Sequence, residues 1–276
     1  MTQPLHYWIG NTQYCQQIPD AEAEVISGVQ WGEPWQLFTP AYWLSQFYMA
    51  GLARHAPSPY RAHGSLGEEL TFCLLGGHGI TAELATAAFQ ACKEAGHISN
   101  LEISTEKWAA TLLEPLSLNG RQIRYRYPSQ KANFLAEAMA FLRINSLQGY
   151  QGRQLRDALL EIRGVGPKTA GWVARNFLDT DEVAILDIHL VRAGILCNLF
   201  DQTQRVERDY FAMEKRYLEF SCALDVRPAV LDCLIWDHMR GYGPIALAAL
   251  NNRPSGNNRY GSSRHPAKRQ MELSLG

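Results

Sequence analysis

Leu159-Leu160-Glu161-Ile162-Arg163-Gly164-Val165-Gly166-Pro167-Lys168-Thr169-Ala170 is the stretch that decides the fold. Leu155, Leu159 and Ile162 recur at the spacing of one helix face. That helix runs into Gly-Val-Gly, and a second helix begins at once. Gly164 and Gly166 let the backbone turn sharply, with positive φ available. They also leave no side chains to block a close approach. Pro167 suits the first position of the new helix. The first N–H groups of that helix have no internal partners. With the helix dipole they suit a phosphate. A plain corner between two helices is the competing reading, but Ala170, which allows the helices to pack closely, weighs against it.

Lys168 is poorly placed as a mere surface charge, because a cation in the first turn opposes the dipole. The same field, with partial burial, favours the neutral amine, the form that attacks carbon. A solvated lysine reaching for phosphate is the alternative. Further on, Val183-Ala184-Ile185-Leu186-Asp187-Ile188-His189-Leu190-Val191-Arg192 sets one carboxylate in an apolar run. Such an aspartate most often caps the following helix. It can cap and still face a cleft, where it would stabilise developing positive charge and help deprotonate a nucleophile.

Outward from this core the periodicity stays helical. Thr39-Pro40 reads as N-cap and first helical position, with a helix through about Gly51. Leu70–Leu74, Leu84–Cys92, Trp108–Leu113 and Phe134–Leu142 give four more helical segments. The first of these stops at Gly76-Gly77-His78-Gly79. The first 38 residues show no clear period. The aromatics Trp31, Trp35, Phe38, Tyr42, Trp43, Phe47 and Tyr48 anchor that region on the core. Few stretches alternate long enough to be strands, so the fold class is all-α.

Composition is that of a soluble globular protein, 46% hydrophobic and 19% charged. No apolar run approaches a membrane span, and the N-terminus lacks a signal-peptide pattern. A cytoplasmic protein is expected. The six cysteines form no CxxC pair, which argues for buried reduced thiols over zinc knuckles, disulfides or an iron–sulfur cluster. The net charge of −1 is low for a nucleic-acid binder, but the charge is unevenly spread. Arg121-Gln122-Ile123-Arg124-Tyr125-Arg126-Tyr127, with Lys131, interleaves cations and aromatics, which suits backbone contact and stacking. The last 26 residues, from Asn251, carry Arg253, Arg259, Arg264, Lys268 and Arg269 against the single acid Glu272. They read as a disordered basic tail.

The glycine hairpin with Lys168, followed by Asp187 in Leu-Asp-Ile-His-Leu-Val-Arg, resembles the signature of the helix-hairpin-helix DNA glycosylase superfamily. The Lys168–Asp187 separation resembles that of its 8-oxoguanine glycosylase branch. The likeness extends more weakly over residues 65 to 245. It implies two helical lobes flanking a DNA-binding cleft: one from 65 to 175, the other from 1–64 plus 176–250. It implies a DNA N-glycosylase with AP lyase activity on an oxidised or modified purine. Lys168 would attack C1′ and form a Schiff base, and Asp187 would be the supporting carboxylate. Gly164, Gly166 and Thr169 would meet the DNA backbone. The Gly164 and Gly166 carbonyls would hold a monovalent or divalent cation, with no other cofactor required.

His78 stands where the family places the side chain that fills the gap left by a flipped base, although an amide is usual there. Arg121, Arg124, Arg126 and Lys131 would add DNA contacts. Asp232 and Trp236, four apart on one helix face, resemble a base-pocket pair of one small oxoguanine glycosylase group. The expected partner is double-stranded DNA with a flipped modified base, bound by a monomer. The larger family members carry an N-terminal β-domain, for which the residues before the helical region are too few and too unpatterned. Two other readings share the scaffold. One is an antiviral-defence protein acting on modified phage DNA or a nucleotide-like ligand. The other is a non-catalytic DNA-binding module.

Overall fold

Thr39 and Pro40 do begin a helix. The Thr39 hydroxyl oxygen accepts the Tyr42 amide at 3.1 Å, and α1 runs Pro40–Met49. The computed structural model describes residues 1–52, 64–77 and 79–253. His78 and the basic tail beyond Arg253 lie outside these described residues. Arg253 itself is folded in, donating to the Leu196 carbonyl and to Asn198 Oδ1.

The chain is mostly helical, as expected. After α1 come α2 (Leu66–Leu75), α3 (Ala82–Glu94), α4 (Thr105–Leu113) and α5 (Pro128–Ile144). The hairpin pair is α6 (Gly152–Leu159) and α7 (Pro167–Leu178). Then follow α8 (Ile188–Leu196), α9 (Val206–Ala223), α10 (Pro228–Gly241) and α11 (Gly243–Asn251). Three short antiparallel pairs accompany the helices: β1 (Thr2–Ile9) with β2 (Thr12–Pro19), β3 (Glu24–Ile26) with β4 (Val29–Gln30), and β5 (Leu116–Leu118) with β6 (Arg121–Ile123). The N-terminal region is therefore patterned after all. Gln3, Leu5 and Tyr7 alternate inward along β1. Ile9 pairs with Thr12 across a two-residue turn, and Gly10 there has φ of 59°, as a tight hairpin needs.

Apolar side chains gather into two clusters. One joins Leu5, Trp43 and Phe47 near the N-terminus to Leu186, Tyr217 and Leu231. The other runs from Leu70 in α2 to Val183 just beyond α7. The chain crosses from one to the other between Val183 and Ala184. Two buried ion pairs bridge the seam. Arg156 of α6 meets Glu214 of α9 at 2.5 Å, and Arg175 of α7 meets Asp232 of α10.

The N-terminal aromatics anchor that region as expected, with one exception: Trp35 is 79% exposed. The cysteines are free thiols, and Cys73, Cys92, Cys197 and Cys233 are buried. Among the described residues no helix is long and apolar enough to cross a membrane.

Candidate functional site

The hairpin turns where the glycines stand, but the two do different work. Gly164 has φ of 86°. A Cβ there would lie 2.4–2.6 Å from three atoms of the Phe134 ring. Gly166 is the extended N-cap of α7, with φ of −95°, and a Cβ on it would meet nothing within 4 Å. Only Gly164 uses the positive φ expected of both. Gly166 keeps the surface in front of the α7 N-terminus open. Pro167 fills the first turn of α7. Ala170 is fully buried, and Thr169 is half-buried. Gly164→Ala should cost about 2–3 kcal/mol, from left-handed strain plus overpacking. Gly166→Ala should stay within about 0.5 kcal/mol of the parent, as an unstrained surface change does. Urea unfolding of the two variants checks this contrast.

Lys168 follows Pro167 and is exposed. The partial burial expected of it is absent.

Asp187 caps α8, as the bland reading had it. Its Oδ1 accepts the amides of His189 and Leu190, both at 2.8 Å. The residue is only half-buried, and Oδ2 takes no hydrogen bond among the described residues. So the cap uses one carboxylate oxygen and leaves the other.

The approach to Asp187 is held from two sides. Gly171, one turn beyond Lys168, lets α7 come close: a Cβ there would lie 2.9 Å from the Ala184 carbonyl oxygen. On the other side, the Tyr210 hydroxyl donates to Ala184 O at 2.9 Å and accepts the Leu186 amide at 3.2 Å. Glu214 accepts the Ala184 amide at 3.0 Å. Tyr210→Phe strands two buried backbone groups and should cost about 1–3 kcal/mol. An unchanged urea midpoint would show that the hydroxyl does not hold this segment.

Asp232 feels the charges of both Lys168 and Asp187. So does His189, together with Arg192 and Arg240. Burial, with those cations, holds the His189 imidazole below its usual value against the pull of Asp187. His189 Nδ1 is buried with no hydrogen-bond partner among the described residues. Trp236 is half-buried. Its ring meets the His189 ring edge-on at 6.3 Å, and the Arg240 guanidinium lies over it at 4.4 Å. The sequence reading gave His189, Arg192 and Arg240 no role. Arg240 was findable, four residues after Trp236 on the same face.

Asp232 does not line the site as an open carboxylate. It is buried and ion-paired with Arg175 of α7. Burial pushes its carboxyl up to about 7 despite that arginine.

Arg121, Arg124 and Arg126 are exposed on and just after β6. Arg126 lies over the exposed Tyr127 ring at 4.9 Å. Tyr125 and Lys131 differ from their neighbours. Tyr125 is buried and donates to the Leu75 carbonyl at 2.5 Å, so it is no stacking platform. Lys131 donates to the carbonyls of Leu74 and Gly76. Its ammonium faces the C-terminal end of α2.

A glycine hairpin leading into a lysine-bearing helix, on a mostly helical body, defines a helix-hairpin-helix protein. The family model described as 8-oxoguanine DNA glycosylase matches residues 60–226, and the chain belongs to that family. A curated 8-oxoguanine DNA glycosylase/AP lyase from Metallosphaera sedula is 30% identical over 128 residues. That match covers 45% of this chain and 63% of the relative. The solved 8-oxoguanine DNA glycosylase of Methanocaldococcus jannaschii is 25% identical, with a TM-score of 0.51. It covers 64% of this chain and 78% of its own. That of Thermotoga maritima is 26% identical, with a TM-score of 0.47, and the match covers 64% of this chain and 80% of the other.

Proposed function

We propose that this chain is a DNA N-glycosylase with an associated AP lyase step, removing an oxidised or otherwise modified purine. The observation that carries the reading is Lys168, exposed at the start of α7, sharing its charge environment with a half-buried Asp187 that keeps one oxygen uncommitted.

In this reading the Lys168 Nζ lone pair attacks C1′ of a flipped nucleotide. The C1′–N bond breaks, and its electron pair leaves with the base. Asp187 Oδ2 steadies the positive charge on the sugar and takes the proton that Nζ must shed. Opening of the sugar then gives a Schiff base between Nζ and C1′. Loss of a C2′ proton and of the 3′ phosphate, by β-elimination, nicks the strand.

Extruding a base requires a site that receives it. Trp236, beside His189, offers a flat ring for that purpose, and Asp232, four residues before it, would complete the base pocket. Gly164, Gly166 and Thr169 would take a phosphate at the α7 N-terminus. Arg121, Arg124 and Arg126 would follow the duplex backbone, and His78 would fill the vacated stack. A cation at the hairpin would rest on the Gly164 and Gly166 carbonyls. The Gly166 oxygen already accepts the Ala170 amide at 2.9 Å, which leaves it one lone pair. An all-carbonyl set of this kind fits a weakly held ion, which would draw a phosphate towards the hairpin.

The test is trapping with borohydride on duplex DNA bearing one 8-oxoguanine, alongside duplex DNA bearing one abasic site. Adducts on both support the full reading. An adduct on the abasic duplex alone keeps the lysine chemistry and discards that base. No adduct on either sinks the lysine mechanism.

A further inference from the structure

Asp187 ends a stretch without regular structure. Residues 183–187 belong to no helix or strand, so no ladder of backbone bonds fixes where the carboxylate stands. Ala184, Ile185 and Leu186 are nevertheless buried, and buried backbone groups need partners. Side chains of α9 supply them. Glu214 Oε1 accepts the Ala184 amide, and the Tyr210 hydroxyl bridges Ala184 O and the Leu186 amide. Tyr210 and Glu214 stand four apart, on one face of the helix.

Both helices of the hairpin are tied to this stretch. From α6, Arg156 donates to Glu214 Oε2 at 2.5 Å, so one carboxylate joins α6 to the Ala184 amide. From α7 the tie is steric. A Cβ on Gly171 would lie 2.9 Å from Ala184 O and 3.8 Å from the Tyr210 hydroxyl oxygen. Ala184 O is backbone and is held by that hydroxyl, so it cannot swing aside as a side-chain end would. A methyl group there must push α7 and residues 184–186 apart by about half an ångström. Gly171 is buried within α7 and has no left-handed backbone that calls for glycine. Inside a helix glycine costs up to about 1 kcal/mol against alanine. The close approach is what offsets that cost. Lys168 precedes Gly171 by three residues, and Asp187 follows Ala184 by three. One contact therefore spaces the two segments that carry them.

We infer that Gly171 is a positioning residue for Asp187. By admitting Ala184 O against α7 it holds the carboxylate at its working distance from Lys168, while Tyr210 and the Arg156–Glu214 pair hold the same stretch from the other side. This rests on the lysine reading above.

The experiment compares Gly171→Ala and Tyr210→Phe with the parent, each alone and combined with Asp187→Asn. The probe is a duplex bearing one abasic site, trapped with borohydride at saturating protein, with Lys168→Gln as the baseline. Gly171→Ala should slow trapping at least about tenfold, the scale of a sub-ångström misplacement of a reacting group. Tyr210→Phe should slow it less, and it carries the same comparison should Gly171→Ala not fold. In Asp187→Asn no charge is left to place, so either substitution should change the rate by less than about twofold. Affinity for a duplex bearing a tetrahydrofuran abasic analogue, on which no Schiff base can form, should stay within about twofold of the parent, since only the reacting groups are displaced. Trapping by Gly171→Ala at the parent's rate, or losses as large with Asp187→Asn as without it, would overturn the inference and leave the lysine reading standing. A parent that traps no better than Lys168→Gln overturns that reading and the inference with it.

Discussion

Lys168→Gln is expected to lower the rate of borohydride trapping by at least about 10³-fold, because the glutamine amide has no nucleophilic lone pair to offer C1′. The loss should come without damage to the fold. Lys168 is exposed, and removing a cation from the first turn of α7 relieves a dipole conflict of about 0.3–1 kcal/mol. The melting temperature should therefore hold or rise slightly. Asp187→Asn is the informative companion. Asparagine caps a helix about as well as aspartate, so the bonds to the His189 and Leu190 amides survive while the negative charge is lost. Trapping should then slow by about 10²–10³-fold, the scale of one lost electrostatic stabiliser. Asp187→Ala removes cap and charge together and cannot separate them. Trapping by Lys168→Gln at the parent's rate would end the case for this lysine.

The hairpin was legible because its signal is local. Two glycines, a proline at the helix start and a buried Ala170 all fall within seven residues, and each has its own steric reason. Thr39-Pro40 was legible for the same reason. The β1–β2 hairpin was not, because its inward face begins with Gln3, whose amide breaks the apolar alternation. Gln3 is buried there since its Nε2 donates to the carbonyls of Pro19 and Gly32. The partners of Lys131 and Asp232 were hidden for a different reason. Each looks like a polar residue free to meet a ligand. Each is committed to a partner 57 residues away, Leu74 for Lys131 and Arg175 for Asp232. No periodicity within a helix carries that information. Asp187 shows the opposite case: the sequence allowed it to cap and still face a cleft, and the cap takes only one of its carboxylate oxygens.

Breaking the Arg175–Asp232 pair is the change expected to cost the most stability. Arg175→Met should destabilise the fold by about 3–5 kcal/mol, since it leaves one partner of a buried pair without the other. The loss spreads beyond one bond. Arg175 also donates to Asn176 Oδ1, and Asn176 donates in turn to Glu69 Oε1 at 2.8 Å. This network ties α2, α7 and α10 together behind Lys168. Its pH dependence follows from Asp232, whose folded pKa of about 7 lies above the value of about 3.9 for an unfolded aspartate. A carboxyl raised on folding contributes stability that is complete below about pH 4 and lost as pH climbs through about 7.

In Arg175→Met the cation that lowers Asp232 is gone, so its folded pKa moves higher still. Near pH 5 both proteins hold the proton in the folded state, and the variant lacks only its hydrogen bonds. Near pH 8 the variant must also keep a carboxyl protonated, or bury it charged. Its deficit should therefore widen from pH 5 to pH 8, and urea unfolding at the two values measures it. The double variant Arg175→Met, Asp232→Leu removes both charges from the seam. It should recover most of the lost stability and lose the pH slope between about 4 and 7 that Asp232 imposes on the parent. A deficit that stays constant with pH, or a double variant no more stable than the single, would mean that the pair is not what joins the two cores behind the site.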